Sequence, residues 1–236
     1  MSSPRQTFSF PLRRPTWLMV LVTLVFIALT LRLGYWQLGR GQQKAAMAAL
    51  LTQRDAQPVT AWQGELGEAV WQRRFQLTGV WQPQGQIYLD NRVSQGRAGF
   101  HVLTPLALAD GRWMLVNRGW LPKQVGVQPM APVPAGQVTL MARLMSPQQH
   151  YVELVAAQER GPVWQNLDWA RYRRLASAPM VATLAYQLDG EDSLIRDWPA
   201  PDLGVEKHYG YAGQWFLFAA LAAVLFIVLH WKRPKQ

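Results

Sequence analysis

Two long apolar runs, Trp17–Leu31 and Gly213–Leu229, lie near the ends of this 236-residue chain and constrain everything between them. About 20 mostly apolar residues are needed to cross roughly 30 Å of hydrocarbon. The first run reaches that length if Arg32 stretches its charged head to the interface and the helix continues through Leu33-Gly34-Tyr35-Trp36. The second does so from Tyr211 to Trp231. Arg5, Arg13 and Arg14 precede the first run, and Lys232, Arg233 and Lys235 follow the second. Basic residues collect on the cytoplasmic side of a span, so both termini are expected there and the intervening domain outside. The expected division is a tail 1–14, a span 15–36, a β-rich outer domain 37–207 with a helical extension 37–54, a span 208–231 and a tail 232–236. Trp17 and Trp231 would mark the inner interface, with Trp36, Tyr209 and Tyr211 marking the outer one. A cleaved signal peptide fits poorly, because no small-residue site follows the first run and Arg32 leads into Leu33, Tyr35 and Trp36. The first sixteen residues are basic and acid-free, like a mitochondrial address, but too few for a transit peptide and a spacer. A bacterial inner membrane is the expected location.

The net charge of +10 would ordinarily direct attention to nucleic acid, but its distribution argues otherwise. All 14 acidic residues lie between Arg40 and Lys207, where 17 Lys and Arg leave only +3. The remaining basic residues belong to the spans and tails, so lipid headgroups are the expected partners and nucleic acid is not. Cysteine is absent, which excludes disulfides, thioredoxin-type pairs, c-type haem attachment and thiolate metal sites. Twelve Trp is a high count; four flank the spans, and most of the others are expected in the core of the outer domain.

Helical character continues past the first span through Gly41–Leu51 and ends by Pro58, although Gly34, Gly39 and Gly41 could loosen it. Strand signals follow. Phe75, Leu77, Gly79 and Trp81 alternate with polar residues, and Pro83-Gln84-Gly85 turns the chain into Ile87-Tyr88-Leu89. Phe100–Leu108 and Arg112–Leu121 flank Asp110-Gly111, a signal for a type I′ hairpin, with Pro105 pointing to an edge or a bulge. Val138, Leu140, Ala142 and Leu144 alternate, as do Leu184, Tyr186 and Leu188. Asp168 is placed to cap a short helix with Trp169, Tyr172 and Leu175-Ala176 inward and Arg171, Arg173 and Arg174 in water. Six or seven short strands and a helix predict an α+β membrane protein: two antiparallel transmembrane helices flanking a mainly antiparallel β domain, barrel- or sandwich-like.

Enzyme signatures are missing: no Gly-rich phosphate loop, no G-x-S-x-G, no H-E-x-x-H and no evident nucleophile–base pair, so no catalytic residue is assigned. Met141 and Met145 share a strand face and read as core packing before copper ligands. His150 reads as a loop residue and His230 as an inner-interface anchor. His208 is distinct. It stands at the mouth of the second span, and His208, Tyr211 and Trp215 share a helical face with Gln214 beside them. An imidazole above an aromatic stripe suits an axial ligand for an apolar iron porphyrin, while an interfacial anchor is the plainer reading from composition. On the first helix Leu33, Trp36, Gln37, Arg40 and Lys44 share a face. Antiparallel helices would bring Trp36, Gln37 and Arg40 opposite His208, Tyr211 and Gln214 across one groove, where Arg40 suits a carboxylate such as a propionate. Asn91-Arg92 and Asn117-Arg118-Gly119-Trp120 fall at or near strand ends, as structural turns or as a ligand or partner motif. Arg118 and Trp120 are expected on opposite faces, one of them the core.

These pieces in order resemble the Surfeit locus protein 1 family of cytochrome c oxidase assembly factors. The resemblance rests on Leu33-Gly34-Tyr35-Trp36-Gln37-Leu38-Gly39-Arg40 with Lys44, on Asn91-Arg92 with Gly96 and Gly99, and on Thr104-Pro105-Leu106. Leu115–Pro122 and His208–Phe216 complete it. Gln43 stands where members often carry an aromatic residue, and Ala45–Trp71 matches no family motif. The resemblance implies a bacterial, non-enzymatic factor that helps haem a reach the oxidase catalytic subunit, with haem a synthase as a candidate second partner. It also implies that His208 matches the histidine linked to haem a binding in bacterial members. The alternative is an envelope scaffold whose β domain steadies an oxidase subunit and binds no cofactor.

Overall fold

The computed structural model describes residues 15–146, 161–199 and 202–230. Arg5, Arg13, Arg14, His150, Trp231, Lys232, Arg233 and Lys235 lie outside the described residues. The chain forms two compact units, one of helices and one of strands, dividing near residues 50 and 200.

The helical unit is built on α1 (Trp17–Asp55) and α3 (Val205–His230). Each is long and apolar enough to cross a membrane, and only 11% of either apolar window is buried. Leu18, Leu21, Val22, Val25, Leu217, Leu221 and Val228 are all exposed. A core helix of a soluble domain would be covered on such faces; the bare apolar collar here is that of a membrane protein's helices. The helices run antiparallel, since Gly41 meets Tyr209, Gly34 meets Phe216, and residues 19–26 face 222–230. α1 is unbroken through Gly34, Gly39 and Gly41, so these glycines do not loosen it.

The second unit is a β barrel. Alternation of apolar and polar residues along β2 (Arg74–Trp81) buries one face of that strand. β2 pairs with β6 (Gln137–Met145), β6 with β8 (Met180–Gln187), β8 with β5 (Trp113–Pro122) and β5 with β4 (Arg97–Leu108). Gly79–Trp81 then pair with Leu106–Leu108 and close the ring. β5 and β8 are parallel; the other four pairings are antiparallel. Closure leaves no open edge in the five-stranded ring. β3 (Ile87–Ser94) adds to β4, and two short strands that sequence patterning did not reveal, β1 (Thr60–Ala61) and β7 (Val163–Trp164), add to β2 and β3. Phe75, Leu77, Trp81, Leu106, Met114, Val116, Leu140 and Ala185 form the main core. Tyr172 of α2 (Trp169–Leu175) packs with Ile87, Leu89, Leu103, Leu115 and Trp164 in a second one. Five of the tryptophans, Trp71, Trp81, Trp113, Trp120 and Trp164, are buried in this unit.

Several local expectations need correction. The Asp110-Gly111 hairpin is not type I′, which requires positive φ at both residues. Only Gly111 has it, at 79°, and its N–H bonds Leu108 O at 3.0 Å, so a type I turn ends in a glycine bulge. Asp168 does cap α2, accepting from Arg171 N, but Leu175 is exposed and Arg171 lies over the Trp164 ring at 4.0 Å. Asn91-Arg92 lies near the C-terminal end of β3, where a register shift puts Asn91 at φ 56°. Pro105 occupies the gap on β4 between its β3 and β2 partners, where no N–H is needed.

Arg118 and Trp120 would share a face in an unbroken strand. Leu103 faces Asn117 and Val102 faces Gly119, so Arg118 is an extra residue that turns the two side chains apart. Gly119 has φ 149°, and a Cβ there would stand 2.7 Å from Leu194 Cβ. Both residues are buried, not one: Arg118 is 1% exposed and Trp120 3%. Arg118 lies over the Trp81 ring and donates to Asp192 at 2.9 Å. Burial pulls its pKa down and Asp192 opposes that pull.

Two predictions follow from this packing. Arg118→Ala leaves a hollow beside Trp81 and removes a charge-assisted bond, so it should cost about 2–4 kcal/mol in denaturant unfolding of the full chain. Exposed Arg173→Ala should stay within about 0.5 kcal/mol. His101 packs against Trp198 at 5.4 Å, and its pKa is lowered to about 4 by burial and then by Arg92. The unfolded chain, with an ordinary imidazole, takes up that proton first. Thermal stability should therefore be full above pH about 6.5 and decline as pH falls toward 4, and His101→Gln should flatten that decline.

Candidate functional site

The seam between α1 and α3 is built from missing side chains. Thr30, Gly34 and Gly41 are the buried residues of α1, spaced by four and seven. Ala212 and Ala219 are those of α3, also seven apart. Such spacing keeps one narrow stripe of each helix facing the other. A Cβ on Gly34 would lie 2.6 Å from the Phe216 ring, and one on Gly41 would lie 2.8 Å from the Tyr209 ring. Aromatic rings therefore occupy the notches, and Phe216 also meets Tyr35 edge-on at 5.3 Å. Thr30 returns its hydroxyl to Phe26 O, so no polar group is left bare there.

Between the two notches, His208 Nδ1 and Gln37 Oε1 are 2.7 Å apart. An amide oxygen only accepts, so a hydrogen bond in this arrangement takes Nδ1 as its donor. Close packing above and below Gln37 is what brings this pair within bonding distance.

The other expected residues divide by helical phase. At about 100° per residue, a side chain one place before a seam residue lies on the flank, and one two places after it lies on the back. Arg40 precedes Gly41, Tyr211 precedes Ala212 and Trp215 precedes Phe216, so these three share the flank on which Gln37 and His208 meet. Trp36 follows Gly34 and Gln214 follows Ala212 by two, so both turn outward; Trp36 is 53% exposed. In place of the expected groove lined by Trp36, Gln37, Arg40, His208, Tyr211 and Gln214, the helices meet in a seam whose notches are filled by Phe216 and Tyr209. Arg40 is exposed and donates to Gln43 at 3.1 Å. Beyond it, Asp202 accepts from Gly204 N and from Lys207, contacts that hold its carboxyl below the usual range, with Lys44 adding to the effect.

Asn91, Arg92, Asn117, Arg118, Gly119 and Trp120 belong to the barrel unit and serve its architecture. Arg92 bonds Gln165 O at 3.0 Å, Trp120 Nε1 donates to Arg92 O at 2.8 Å, and Asn117 accepts from Gly119 N at 3.3 Å. Met145 packs against the second core. Among the described residues no group of three or more His, Asp or Glu gathers as a metal site. Gly34, Gly41, Tyr209 and Phe216 are the seam residues that sequence reasoning did not assign; the seven-residue spacing of the two glycines was the available signal.

Two membrane-type helices bracketing a closed β barrel, with a hydrogen-bonded histidine in the seam, define a membrane-anchored β-domain protein. The profile of the SURF1 family matches residues 24–220, and the chain belongs to that family. An uncharacterized SURF1-like protein of Mycobacterium bovis is 28% identical over 249 residues, covering 94% of this chain and 84% of that protein. SURF1-like proteins of Rickettsia felis and Rickettsia conorii are 29% and 31% identical over 102 and 101 residues, covering 42% and 41% of this chain and 45% and 42% of those proteins. The family is linked in general to cytochrome c oxidase assembly.

If the notches set the helix approach, filling one should part the helices. With Gln37→Cys and His208→Cys placed in this cysteine-free chain, a short thiol cross-linker should join α1 to α3 efficiently. Adding Gly34→Leu should reduce that joining severalfold, and unchanged cross-linking would show that the notches are dispensable.

Proposed function

We propose that this protein assists haem a during assembly of the oxidase catalytic subunit, holding it transiently at the helix pair, and that it is not an enzyme. The observation that carries the reading is the 2.7 Å contact between His208 Nδ1 and Gln37 Oε1, which holds a histidine at the end of an apolar helix with Nε2 on the far side of the ring from that contact. Haem iron accepts one such imidazole nitrogen as an axial ligand. Tyr211 and Trp215, on the same flank, offer apolar and aromatic surface, and exposed Arg40 offers a guanidinium to a propionate. Trp36 and Gln214 are left out of this set, because they stand on the backs of the helices. Holding by His208 alone would suit release as well as capture, which is what delivery to another subunit requires. In this reading both termini are cytoplasmic, the barrel lies in the periplasm, and the oxidase subunit is the partner, with haem a synthase a candidate source of cargo.

A second reading draws on the packed seam. Phe216 and Tyr209 fill the space between the helices, as a rigid stalk would need, and the barrel would then steady an oxidase subunit with no cofactor on this chain. Deletion would lower the amount of assembled oxidase without changing the haem occupancy of what remains.

The two readings separate in cells that make haem a. Protein purified from them should carry haem a, quantified by its pyridine complex, and His208→Ala should lose most of it while inserting normally. Equal haem content in the two proteins would exclude His208 as the ligand.

A further inference from the structure

We propose that Gln37 is a positioning residue for His208: its side-chain oxygen selects the Nδ1–H tautomer, so that Nε2 is the nitrogen presented for ligation. The inference rests on the reading of His208 as an iron ligand and goes beyond it by giving the first helix a defined role. Free neutral imidazole exchanges its proton between the two nitrogens, and a ligand nitrogen must be the one without it. A hydrogen-bond acceptor on the other nitrogen settles which one that is, fixes the ring plane and raises the basicity of the donor.

Three observations converge on Gln37. Its Oε1 stands 2.7 Å from His208 Nδ1. Gly34 and Gly41, three residues before it and four after, both lack the Cβ that would collide with the Phe216 and Tyr209 rings, so α1 is packed against α3 on either side of this residue. Gln37 is also half-buried whereas its neighbour Trp36 is exposed, so the amide is directed into the seam and not onto a bound ring. This replaces the expected direct contact of Gln37 with the cofactor.

The test has two arms on the full chain in lipid nanodiscs. In the first, without cofactor, histidine-labelled protein is examined by nitrogen NMR under conditions where imidazole is neutral, with His208→Ala identifying the signal. Wild type should show His208 protonated at Nδ1. Gln37→Leu should revert toward the Nε2-protonated form that free imidazole favours, and Gln37→Glu, which keeps an acceptor of the same length, should retain the wild-type signal. In the second arm haem a is titrated in and followed by its absorption. Gln37→Leu should weaken binding about 10–100-fold, with Gln37→Glu near wild type. An unchanged tautomer or unchanged affinity in Gln37→Leu overturns the positioning role while leaving the ligand assignment intact. If His208→Ala binds haem a as wild type does, the ligand assignment fails, and the positioning role fails with it whatever the first arm shows.

Discussion

Everything at the proposed site depends on how near two antiparallel helices can come, and that distance is set by side chains the chain omits. In lipid, helices gain no hydrophobic driving force from contact, so association relies on packing and on polar bonds between them. Gly34 and Gly41 supply the packing by admitting the Phe216 and Tyr209 rings. The His208–Gln37 bond supplies the polar contact, from the first turn of α3 to the stretch of α1 between the two glycines. In the proposed role, the same bond that helps fasten the helices also orients the imidazole. In that proposal stability and function share one contact, and the notches that position it are filled by other residues, Phe216 and Tyr209.

The barrel solves a different problem. With no cysteine available, it is held by a closed ring of strands around a tryptophan-rich core. Its costliest feature is Arg118, a cation with 1% exposure, made tolerable by Asp192, by the Trp81 ring and by Gln86. The bulge at Gly119 turns Arg118 toward that network and Trp120 toward the Arg92 carbonyl. The two Asn-Arg motifs are therefore joined through Trp120, and their recurrence in the sequence has an architectural explanation.

Which features were readable in advance follows from the range of the interactions. Both spans were, because length and hydropathy are local, and so were most strands of the ring, because alternation is local too. Closure was not: it depends on Gly79–Trp81 meeting Leu106–Leu108 and on the parallel pairing of β5 with β8, neither of which leaves a mark within either segment. The two-residue strands β1 and β7 are too short to show a period. At the site, helical spacing set Trp36, Gln37 and Arg40 opposite His208, Tyr211 and Gln214, and the structure joins Gln37 to His208. Trp36 and Gln214 were misplaced because depth was readable and rotation was not: two residues swing a side chain about 200° around a helix. The glycines that fix the rotation looked like weaknesses in a helix instead of contacts, since only the partner helix reveals what fills them.

The most direct measurement is the dipolar coupling between the side-chain carbonyl carbon of Gln37 and Nδ1 of His208, recorded by solid-state NMR on the full chain in bilayers. A 2.7 Å oxygen–nitrogen contact and a carbonyl length of about 1.2 Å require a carbon–nitrogen separation under about 4 Å, and a coupling of that strength is the predicted result. No measurable coupling, with both helices inserted, would contradict the account: the seam would be ordered some other way, and the imidazole would have no partner to prepare it for a metal.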